Sequence, residues 1–518
     1  MTDAPVLVVG GGHNGLVAAC YLARAGRRVV VLEASDVPGG GSRTEETIPG
    51  YRFNTHAAAH NIINMTRIPR ELDLAGAGLE YLPMDPFATG LFRDGRIVRF
   101  HRDIEQTVAS IAEHSAAEAQ AYRAFMRRAV PLVRTAVTGL ESGSSPGGVL
   151  RAAAAKLVPL VQGLRRSGGP IALAHDLVTP YGSLLERALP SELTRAPIAS
   201  FASHSSAGPH QPGGSFYVFW QAAYHLFGQW HPRGGSQALT TALVRRLEGW
   251  GGEVRTGAVV ESIEARSGTA TGVLLEGGQR LQGSAVVTAV DVQTALLKLL
   301  DPPLGGQDGA DLAAAHRGNA VQLVVHLATD RLPPYPGART GDWNGLQSHV
   351  GSVEQLRRGF LAAEARRLPD PPATYCFTPS TYDDSLAPAG RHTVYLACPS
   401  APYELDGGWA DQAEAFADAM VEQVEQHAPG FRASISARHV RTPTVAAEQL
   451  RWPGAHPMYL DISLDQLAFL RPTRRLAGHT VPGVASLFTC GASTAPVGGI
   501  AGSSGKAAAL QVLAHLPP

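Results

Sequence analysis

The sequence predicts an α/β protein with two lobes and an inserted helical region. Three observations favour this fold: a strand–glycine turn–helix–strand unit opens the chain, further glycine-rich segments lie far downstream, and strand patterns alternate with a helix in the second half. Because a chain of 518 residues exceeds one ordinary domain, we expect more than one lobe.

The opening segment has the pattern of a dinucleotide-binding βαβ unit. The apolar run Val6 to Val9 predicts a buried parallel strand, which leads into Gly10-x-Gly12-x-x-Gly15, a helix and a second buried strand, Val29 to Leu32. In this Rossmann-like pattern Gly10 permits the tight turn, Gly12 lets the backbone approach a pyrophosphate, and Gly15 lets helix and strand pack closely. The free N–H groups at the helix start would bind the phosphates.

Three polar residues complete this unit. Glu33 ends the second strand, where its carboxylate can accept hydrogen bonds from a ribose 2′-OH, which argues against a 2′-phosphate. His13 and Asn14 lie inside the phosphate loop, where we expect His13 to have a structural role. A dinucleotide cofactor is therefore expected.

The glycine fingerprint alone does not distinguish FAD from NAD, but three further segments favour FAD. The first is a glycine cluster soon after the second strand, and its expected cofactor contacts are Gly40, Gly41, Ser42 and Arg43. The second opens a helix over residues 237–249 and leads into residues 251–263, where Val259 is an expected contact.

The third segment closes the chain with a strand, a glycine loop and an alanine-rich helix predicted to end at Leu516. Its expected cofactor contacts are Gly491, Gly498, Gly499 and Ile500. The start of that helix, placed at the N1–C2=O edge of a flavin, would stabilise the reduced anionic ring. No second G-x-G-x-x-G motif follows a strand elsewhere, so we predict FAD and no separate NAD domain.

These segments divide the chain into five parts. The FAD-binding domain is predicted from residues 1–100, 230–300 and 481–518, a helical substrate or lid region from residues 101–229, and a substrate domain with a mixed sheet from residues 301–480. Within the helical region, the glycine- and serine-rich run of residues 142–148 predicts a turn or lid hinge.

Composition excludes several classes of function. The 44 basic and 44 acidic side chains cancel, so the chain has no basic footprint for nucleic acid. Its four cysteines are widely spaced without a C-x-x-C pair, which argues against a zinc site, a disulfide framework and a redox dithiol, and favours buried thiols. We predict no metal site. Nothing in the sequence indicates an oligomeric state.

The start of the chain and the helical region indicate where in the cell we expect the protein. The first strand begins at Val6, which leaves no room for a signal peptide, and no apolar run has transmembrane length, so we expect a cytoplasmic protein. Arginines alternate with apolar stretches over residues 123–166. This pattern predicts either a peripheral patch that contacts anionic lipid and collects a lipophilic substrate, or solvated helix faces.

Histidines supply the candidate acid–base groups. His56 and His60 are four residues apart, a spacing that could place both rings on one helical face beside the flavin, and His231 lies in a turn near the second flavin segment. These three are the catalytic candidates, with the alternative that they cap or line the pocket. His204 and the aromatic run from Phe216 to Phe227 either line a polyene channel or form ordinary core.

Motifs along the whole chain resemble those of the phytoene-desaturase-like flavoproteins, which include carotenoid desaturases, carotene ketolases, retinol saturases and a pyridine-nucleotide-disulfide-oxidoreductase-like branch. The matching segments are Gly10 to Ala19, Gly39 to Tyr51, Pro232 to Gln237, Pro379 to Pro388, Leu464 to Pro472 and Cys490 to Gly502. One departure is Ala492, where many flavoproteins of this class carry an acidic residue.

This resemblance implies an FAD-dependent oxidoreductase that acts on a lipophilic polyene or isoprenoid-like substrate by hydride transfer, in desaturation, saturation or isomerisation. Two alternatives stay open: a natural-product tailoring flavoenzyme that cyclises a polyene reductively, and a flavin-bound carrier without turnover. An amine oxidase is disfavoured because the sequence gives no sign of an aromatic cage.

Overall fold

The strands of this computed structural model, which describes residues 4–142, 154, 157–496 and 498–517, form two large sheets and two small ones. In chain order they are β1 (Val6–Val9), β2 (Val29–Leu32), β3 (Thr44–Ile48), β4 (Tyr51–Asn54), β5 (Tyr81–Met84), β6 (Ala88–Leu91), β7 (Ile97–Phe100), β8 (Gln229–Pro232), β9 (Glu253–Arg255), β10 (Val260–Arg266), β11 (Thr269–Leu275), β12 (Arg280–Gln282), β13 (Ala285–Thr288), β14 (Leu300–Asp301), β15 (Ala320–Thr329), β16 (Leu346–Ser348), β17 (Tyr375–Phe377), β18 (His392–Pro402), β19 (Ile435–Arg441), β20 (Thr480–Val481) and β21 (Val484–Thr489).

Helices surround the sheets. In the part of the chain that the structure describes they are α1 (His13–Arg24), α2 (Ile68–Glu71), α3 (Ile104–Ala112), α4 (Ala116–Ser142), α5 (Leu157–Arg166), α6 (Pro170–Val178), α7 (Tyr181–Ala188), α8 (Glu192–Ala202), α9 (Ser215–Phe219), α10 (Gln221–Phe227), α11 (Gln237–Gly249), α12 (Gly306–Ala314), α13 (Val353–Glu364), α14 (Ala413–Glu425), α15 (Pro443–Leu450) and α16 (Ser503–His515).

The first large sheet has ten strands and carries the predicted dinucleotide-binding unit. Its parallel centre runs β21–β13–β1–β2–β9, and β1, β2 and β13 are buried along their full length. Such continuous apolar runs are typical of parallel strands that are covered on both faces. Helices α1, α11 and α16 share one apolar core with these strands, so each of the three predicted flavin segments contributes a helix to that core.

The second sheet is mixed, as predicted, with the order β19–β15–β18–β17–β16–β6–β7 and a parallel pair at β16–β6. Side chains of β17 alternate between its faces. Tyr375 and Phe377 join the core of the helical region, whereas Cys376 joins the core beneath α14. The sheet therefore presents aromatic side chains to the helical region.

The pairing of β6 and β7 bears on the predicted domain boundaries. Both strands lie within residues 1–100, yet β6 pairs with β16 of the second sheet. This pairing favours a change of lobe ahead of β6, and the boundaries at residues 100, 230, 300 and 480 stay predictions.

Helices α3–α10 fill the region predicted to be helical, and all of them except α5 contribute to an apolar core shared with the second sheet. None of the described helices is long and apolar enough to cross a membrane. Residues 143–148 of the predicted hinge lie outside the described residues. The four cysteines are buried free thiols, as expected.

Two glycines let α1 pack unusually close to its neighbours. A Cβ on Gly15 would lie 2.2 Å from the carbonyl oxygen of Gly10, and a Cβ on Gly505 would lie 2.1 Å from the carbonyl oxygen of Asn14. Gly15 therefore seats α1 against the turn that follows β1. Gly505 seats α16 against the first turn of α1, a contact between the two ends of the chain.

We expect the variant Gly505→Ala to be less stable than the wild type, because the methyl group must push α16 away from α1. Overpacking of this kind costs about 1–3 kcal/mol of unfolding free energy. The matched control is Gly249→Ala at the end of α11, where an added Cβ meets open space. Urea and thermal denaturation would compare the two variants, and a Gly505→Ala midpoint equal to that of the wild type would contradict this role.

Candidate active site

A cavity lies where the glycine turns of the first sheet face the second sheet and the helical region. Its wall combines backbone-rich turns with aromatic side chains. The lining residues are Gly12, His13, Asn14, Gly39, Gly40, Gly41, His56, Ala57, Ala58, Ala59, Asn61, Ile62, Phe201, His204, Ser205, Tyr217, Trp220, Tyr224, Gln229, Ala289, Gln322, Tyr375, Phe377, Tyr395, Trp452, Pro457, Met458, Tyr459, Gly491, Ala492, Gly499 and Ile500.

The start of α1 forms the first wall. A Cβ on Gly12 would meet no atom within 4 Å, so the backbone there faces open space. Gly12 is the N-cap residue of α1 and supplies no side-chain cap. Gly10 adopts φ +103° in the turn before it. This uncapped helix start, next to a turn that only glycine enters easily, fits a bound pyrophosphate.

Glu33 lies beside the same turn at the end of β2. Its Oε2 accepts a hydrogen bond from the backbone N–H of Gly11 at 2.7 Å, and its Oε1 accepts one from the N–H of Ser35 at 2.9 Å. These bonds fix the carboxylate and leave each oxygen a further lone pair for a ribose hydroxyl. Val259 lies close by, because Ala258 donates to the carbonyl of Glu33 at 2.8 Å.

The predicted glycine cluster divides into lining and supporting residues. Gly40 and Gly41 line the cavity, and a Cβ on Gly41 would lie 2.5 Å from the ring of Trp452. Ser42 is buried and donates to the carbonyl of Ser236 at 3.0 Å. Arg43 lies 3.4 Å from a carboxylate oxygen of Glu45. Ser42 and Arg43 thus contact neighbouring protein groups and are not part of the cavity lining.

The terminal loop forms the opposite wall. Gly491, Gly499 and Ile500 line the cavity, and Gly499 adopts φ +85°. A Cβ on Gly498 would lie 2.4 Å from the sulfur of Met458, so Gly498 allows a packing contact within the protein. At Gly491 and Gly499 the loop therefore brings backbone to the edge of the cavity.

His13 joins these two walls. Its Nε2 lies 3.0 Å from the carbonyl oxygen of Gly499, and the side-chain amide of Asn14 lies 3.0 Å from the same nitrogen. Burial lowers the pKa of His13 to about 4, so the ring is neutral at physiological pH. This geometry agrees with the structural role expected for His13.

The three candidate acid–base histidines have different surroundings. The shared helical face that the spacing of His56 and His60 allows is not formed, because residues 55–61 contain no helix. His56 lines the cavity, and its buried Nε2 has no hydrogen-bond partner among the described residues. Burial, with Arg441 and His326 nearby, holds the pKa of His56 well below its usual value.

His60 and His231 are fully buried in hydrogen-bond networks. Nδ1 of His60 lies 3.0 Å from the Tyr81 hydroxyl, and its Nε2 lies 2.9 Å from the Ser236 hydroxyl. Nε2 of His231 lies 2.9 Å from Asp383, whose pKa falls to about 2 because hydrogen bonds from His231 and its neighbours outweigh the effect of burial. Neither ring is part of the cavity lining.

Two cavity residues, Trp452 and Met458, are not predicted from the sequence. Trp452 packs on Gly41, and its ring centroid lies 4.8 Å from that of His56. Met458 packs on Gly498. No local pattern marks Trp452 or Met458, since each acts through a glycine that is far away in the sequence. Tyr217, Trp220 and Tyr224 of the aromatic run do line the cavity, as does His204.

A buried arginine holds the terminal loop. Arg471 is fully buried and donates hydrogen bonds to carbonyl oxygens, including those of Ala492 at 3.0 Å, Asp461 at 2.8 Å and Gln466 at 3.0 Å. Burial lowers its pKa to about 10, which still leaves the guanidinium charged at neutral pH. The Arg471–Pro472 segment belongs to the motifs of the resemblance, but its contacts could not be foreseen.

Together these features fit FAD. The open glycine turn and uncapped helix suit the pyrophosphate, Glu33 suits the ribose, and the glycines of the terminal loop suit a flat ring against backbone.

Comparison with known proteins agrees with this fit. A family model for flavin containing amine oxidoreductases matches residues 15–513. The mouse pyridine nucleotide-disulfide oxidoreductase domain-containing protein 2 is 30% identical, with 98% of this chain and 93% of that protein covered. A neurosporene-forming phytoene desaturase of Cereibacter sphaeroides is 27% identical, with 99% and 94% covered.

Among solved structures, a triple mutant of putrescine oxidase has the same fold, with a TM-score of 0.64 at 16% identity over 99% of both chains. The family match spans nearly the whole chain, from Gly15 at the end of the glycine fingerprint into the terminal helix. The chain therefore belongs to the flavin containing amine oxidoreductase family, and it is an FAD-dependent oxidoreductase of the phytoene-desaturase-like type.

Proposed function

We propose that the enzyme desaturates, saturates or isomerises an uncharged lipophilic substrate of polyene or isoprenoid type. FAD, when bound, supplies the hydride acceptor or donor. The observation that carries this proposal is the character of the cavity wall: none of the described lining residues is Asp, Glu, Lys or Arg. The similarity to a phytoene desaturase supports the same substrate class.

The histidines of the wall are also uncharged at neutral pH. Burial lowers the pKa values of His13 and His204 to about 4, and that of His56 lies well below its usual value, first through burial. An ammonium or carboxylate group would therefore lose its hydration here without gaining a counter-charge. An apolar chain instead gains about 25 cal/mol for each Å² that it buries.

We assign the wall residues two tasks. Rings such as Phe201, Tyr224 and Phe377 exclude water and orient an extended chain. The residues proposed to hold FAD, directly or by shaping its turns, are Gly10, Gly12, His13, Asn14, Gly15, Glu33, Gly40, Gly41, Ser42, Arg43, Val259, Gly491, Gly498, Gly499 and Ile500.

His56 is the acid–base group that we favour. Of the three catalytic candidates it lines the cavity, and its Nε2 is without a partner in the described part of the chain. A neutral imidazole can accept a proton there as hydride leaves the substrate. His60 and His231 are assigned positioning roles because their ring contacts lie within the protein.

The lack of charged side chains among the described lining residues leads to a direct test of the proposed substrate class. Anaerobic enzyme is mixed with uncharged isoprenoid polyenes or with putrescine, and the flavin absorbance and product masses are recorded. We expect a polyene to bleach oxidised flavin or to reoxidise reduced flavin, and putrescine to do neither. A product isomeric with its substrate and containing one more ring would favour the cyclase alternative. Reduction by putrescine, or flavin unresponsive to every polyene, would contradict the proposal, the latter favouring a carrier.

We further propose that helices α5 and α6 form a membrane-contact face. Four large apolar side chains are exposed there: Leu157, Val158, Ile171 and Val178, of which Ile171 is 86% exposed. The exposed Arg165 and Arg166 end α5, and Arg166 donates to the carbonyl of Arg127 at 2.8 Å. Arg128 of the predicted basic cluster is instead paired with Asp176. Apolar side chains beside exposed arginines suit an anionic lipid surface.

Vesicle sedimentation tests this face. We expect the triple variant Leu157→Ser, Val158→Ser, Ile171→Ser to bind anionic phospholipid vesicles more weakly than the wild type, because less apolar area enters the lipid. The matched control is Leu510→Ser on α16, a leucine of the FAD lobe that is 53% exposed, against 59% for Leu157. Flavin content should be unchanged in both. Equal sedimentation of the triple variant, or none for the wild type, would overturn the proposal.

A further inference from the structure

A second buried arginine lies in the mixed sheet, and its charge is poorly satisfied. Arg441 ends β19 and is 1% exposed. Its Nε and Nη2 have no hydrogen-bond partner among the described residues, whereas the fully buried Arg471 donates to several carbonyl oxygens. Because a buried charge without hydrogen bonds costs folding free energy, packing alone does not account for Arg441.

The acidic groups near Arg441 neutralise it only in part. Oε2 of Glu45 lies 3.6 Å from Nη1 of Arg441, which is too far for a hydrogen bond. The side chain of Glu45 is partly exposed, and its other oxygen lies 3.4 Å from Nε of Arg43. Asp36 approaches Arg43 from the solvent side at 3.8 Å. The guanidinium of Arg441 is thus out of water, while its counter-charges are in contact with it.

The strand register places Arg441 on the face of the second sheet that includes a cavity residue. Residues opposite each other on paired strands share a face, as do alternate residues of one strand. His326 of β15 lies opposite His439 of β19 on one side and opposite Tyr395 of β18 on the other. Arg441 is two residues beyond His439 and therefore shares this face. Tyr395 lines the cavity and Arg441 does not, so the charge lies behind the wall.

The same face contacts the lining residue His56. The hydroxyl of Tyr395 donates to the carbonyl oxygen of His56 at 3.3 Å. After burial, repulsion by Arg441 is the largest effect that lowers the pKa values of His56 and His326. Arg441 also lowers the pKa of Tyr395, against the larger, raising effect of burial. The lining residues His56 and Tyr395 therefore both experience the positive charge of Arg441.

Other charges behind the wall are better compensated. The lining residue Tyr459 has its pKa raised first by burial and then by Asp291 and Glu33. Arg471 is offset by Asp461 and Asp291 and by the carbonyl oxygens that it binds. Among the described residues Arg441 has no buried acid beside it and no hydrogen bond from Nε or Nη2, so its charge acts on the cavity with less attenuation.

We propose that Arg441 is a specificity-determining residue, which repels positively charged ligands from the cavity and so separates uncharged substrates from amines. This inference rests on the proposed function, since it names a residue that enforces an uncharged substrate. A guanidinium stays protonated in proteins, and inside a protein its charge acts over several ångströms with little screening by salt. Discrimination then comes from a repulsive element rather than from a tighter fit to the correct substrate.

Three probes with the same alkyl chain differ in charge: decanol, decylamine and decanoate. Each is titrated anaerobically into the oxidised holoenzyme at neutral pH, and the dissociation constant is read from the perturbation of the flavin spectrum. We expect the wild type to bind decanol more tightly than decylamine. In Arg441→Met, decylamine should bind about tenfold more tightly and decanoate about tenfold more weakly than in the wild type, with decanol unchanged. A variant that merely loosened the fold would change all three affinities in the same direction.

Further variants separate the charge from the shape of the side chain. Arg441→Lys keeps the charge and should keep the wild-type affinities. The matched control is Arg438→Met on the same strand, because Arg438 is exposed and pairs with Glu414 and Asp418. Arg441→Met should retain its flavin and unfold at no lower temperature than the wild type, since few contacts of the guanidinium are lost. Arg441→Gln, also without charge, replaces it if the Met variant loses flavin.

The outcomes distinguish the inference from the proposed function. Unchanged affinities for decylamine and decanoate in the charge-free variant, or equal changes for all three probes, would overturn the inference and leave the proposed function intact. The same would follow if Arg441→Lys behaved like Arg441→Met. Reduction of the wild-type flavin by decylamine, or a wild type that binds none of the probes, would contradict the proposed function itself.

Discussion

The contact between the first turn of α1 and the terminal helix α16 is the constraint on which the active site depends. It exists because Gly505 has no side chain, which lets its backbone approach the carbonyl oxygen of Asn14. Because α16 packs against α1 at this point, the terminal loop that precedes α16 ends beside the glycine turn at the start of α1. The bond between His13 and the carbonyl of Gly499 spans that junction. One close packing contact thus brings both ends of the chain to the same cofactor.

Charged side chains near the site lie behind the described residues that line the cavity. Arg471 is fully buried near the terminal loop, but its guanidinium is satisfied by carbonyl oxygens and does not line the cavity. His13, His56 and His204 are neutral, since burial dominates their pKa shifts. The cavity combines a polarised backbone at one end with aromatic walls at the other. This division suits a cofactor with charged phosphates and a substrate without charge.

The parts of the fold that follow local patterns were predictable. The buried runs of β1 and β2 and the glycine fingerprint fix the first lobe through short-range geometry, and the mixed sheet follows from strand-like runs. The site was predictable where it is made of glycine turns. The spacing of His56 and His60 could not decide how their rings lie, because a four-residue spacing allows a helix but does not require one. The contact of Trp452 with Gly41 joins segments about four hundred positions apart, so no sequence window contains it.

A crystal structure of the protein with bound FAD tests the central claim most directly. We expect the ribose of the adenosine half at Glu33, the pyrophosphate at the start of α1, and the isoalloxazine ring against the backbone of Gly499. We also expect open space between the ring and the aromatic wall that includes His204. A ring placed outside this cavity, or one that fills it up to that wall and leaves no volume for a substrate, would contradict the account.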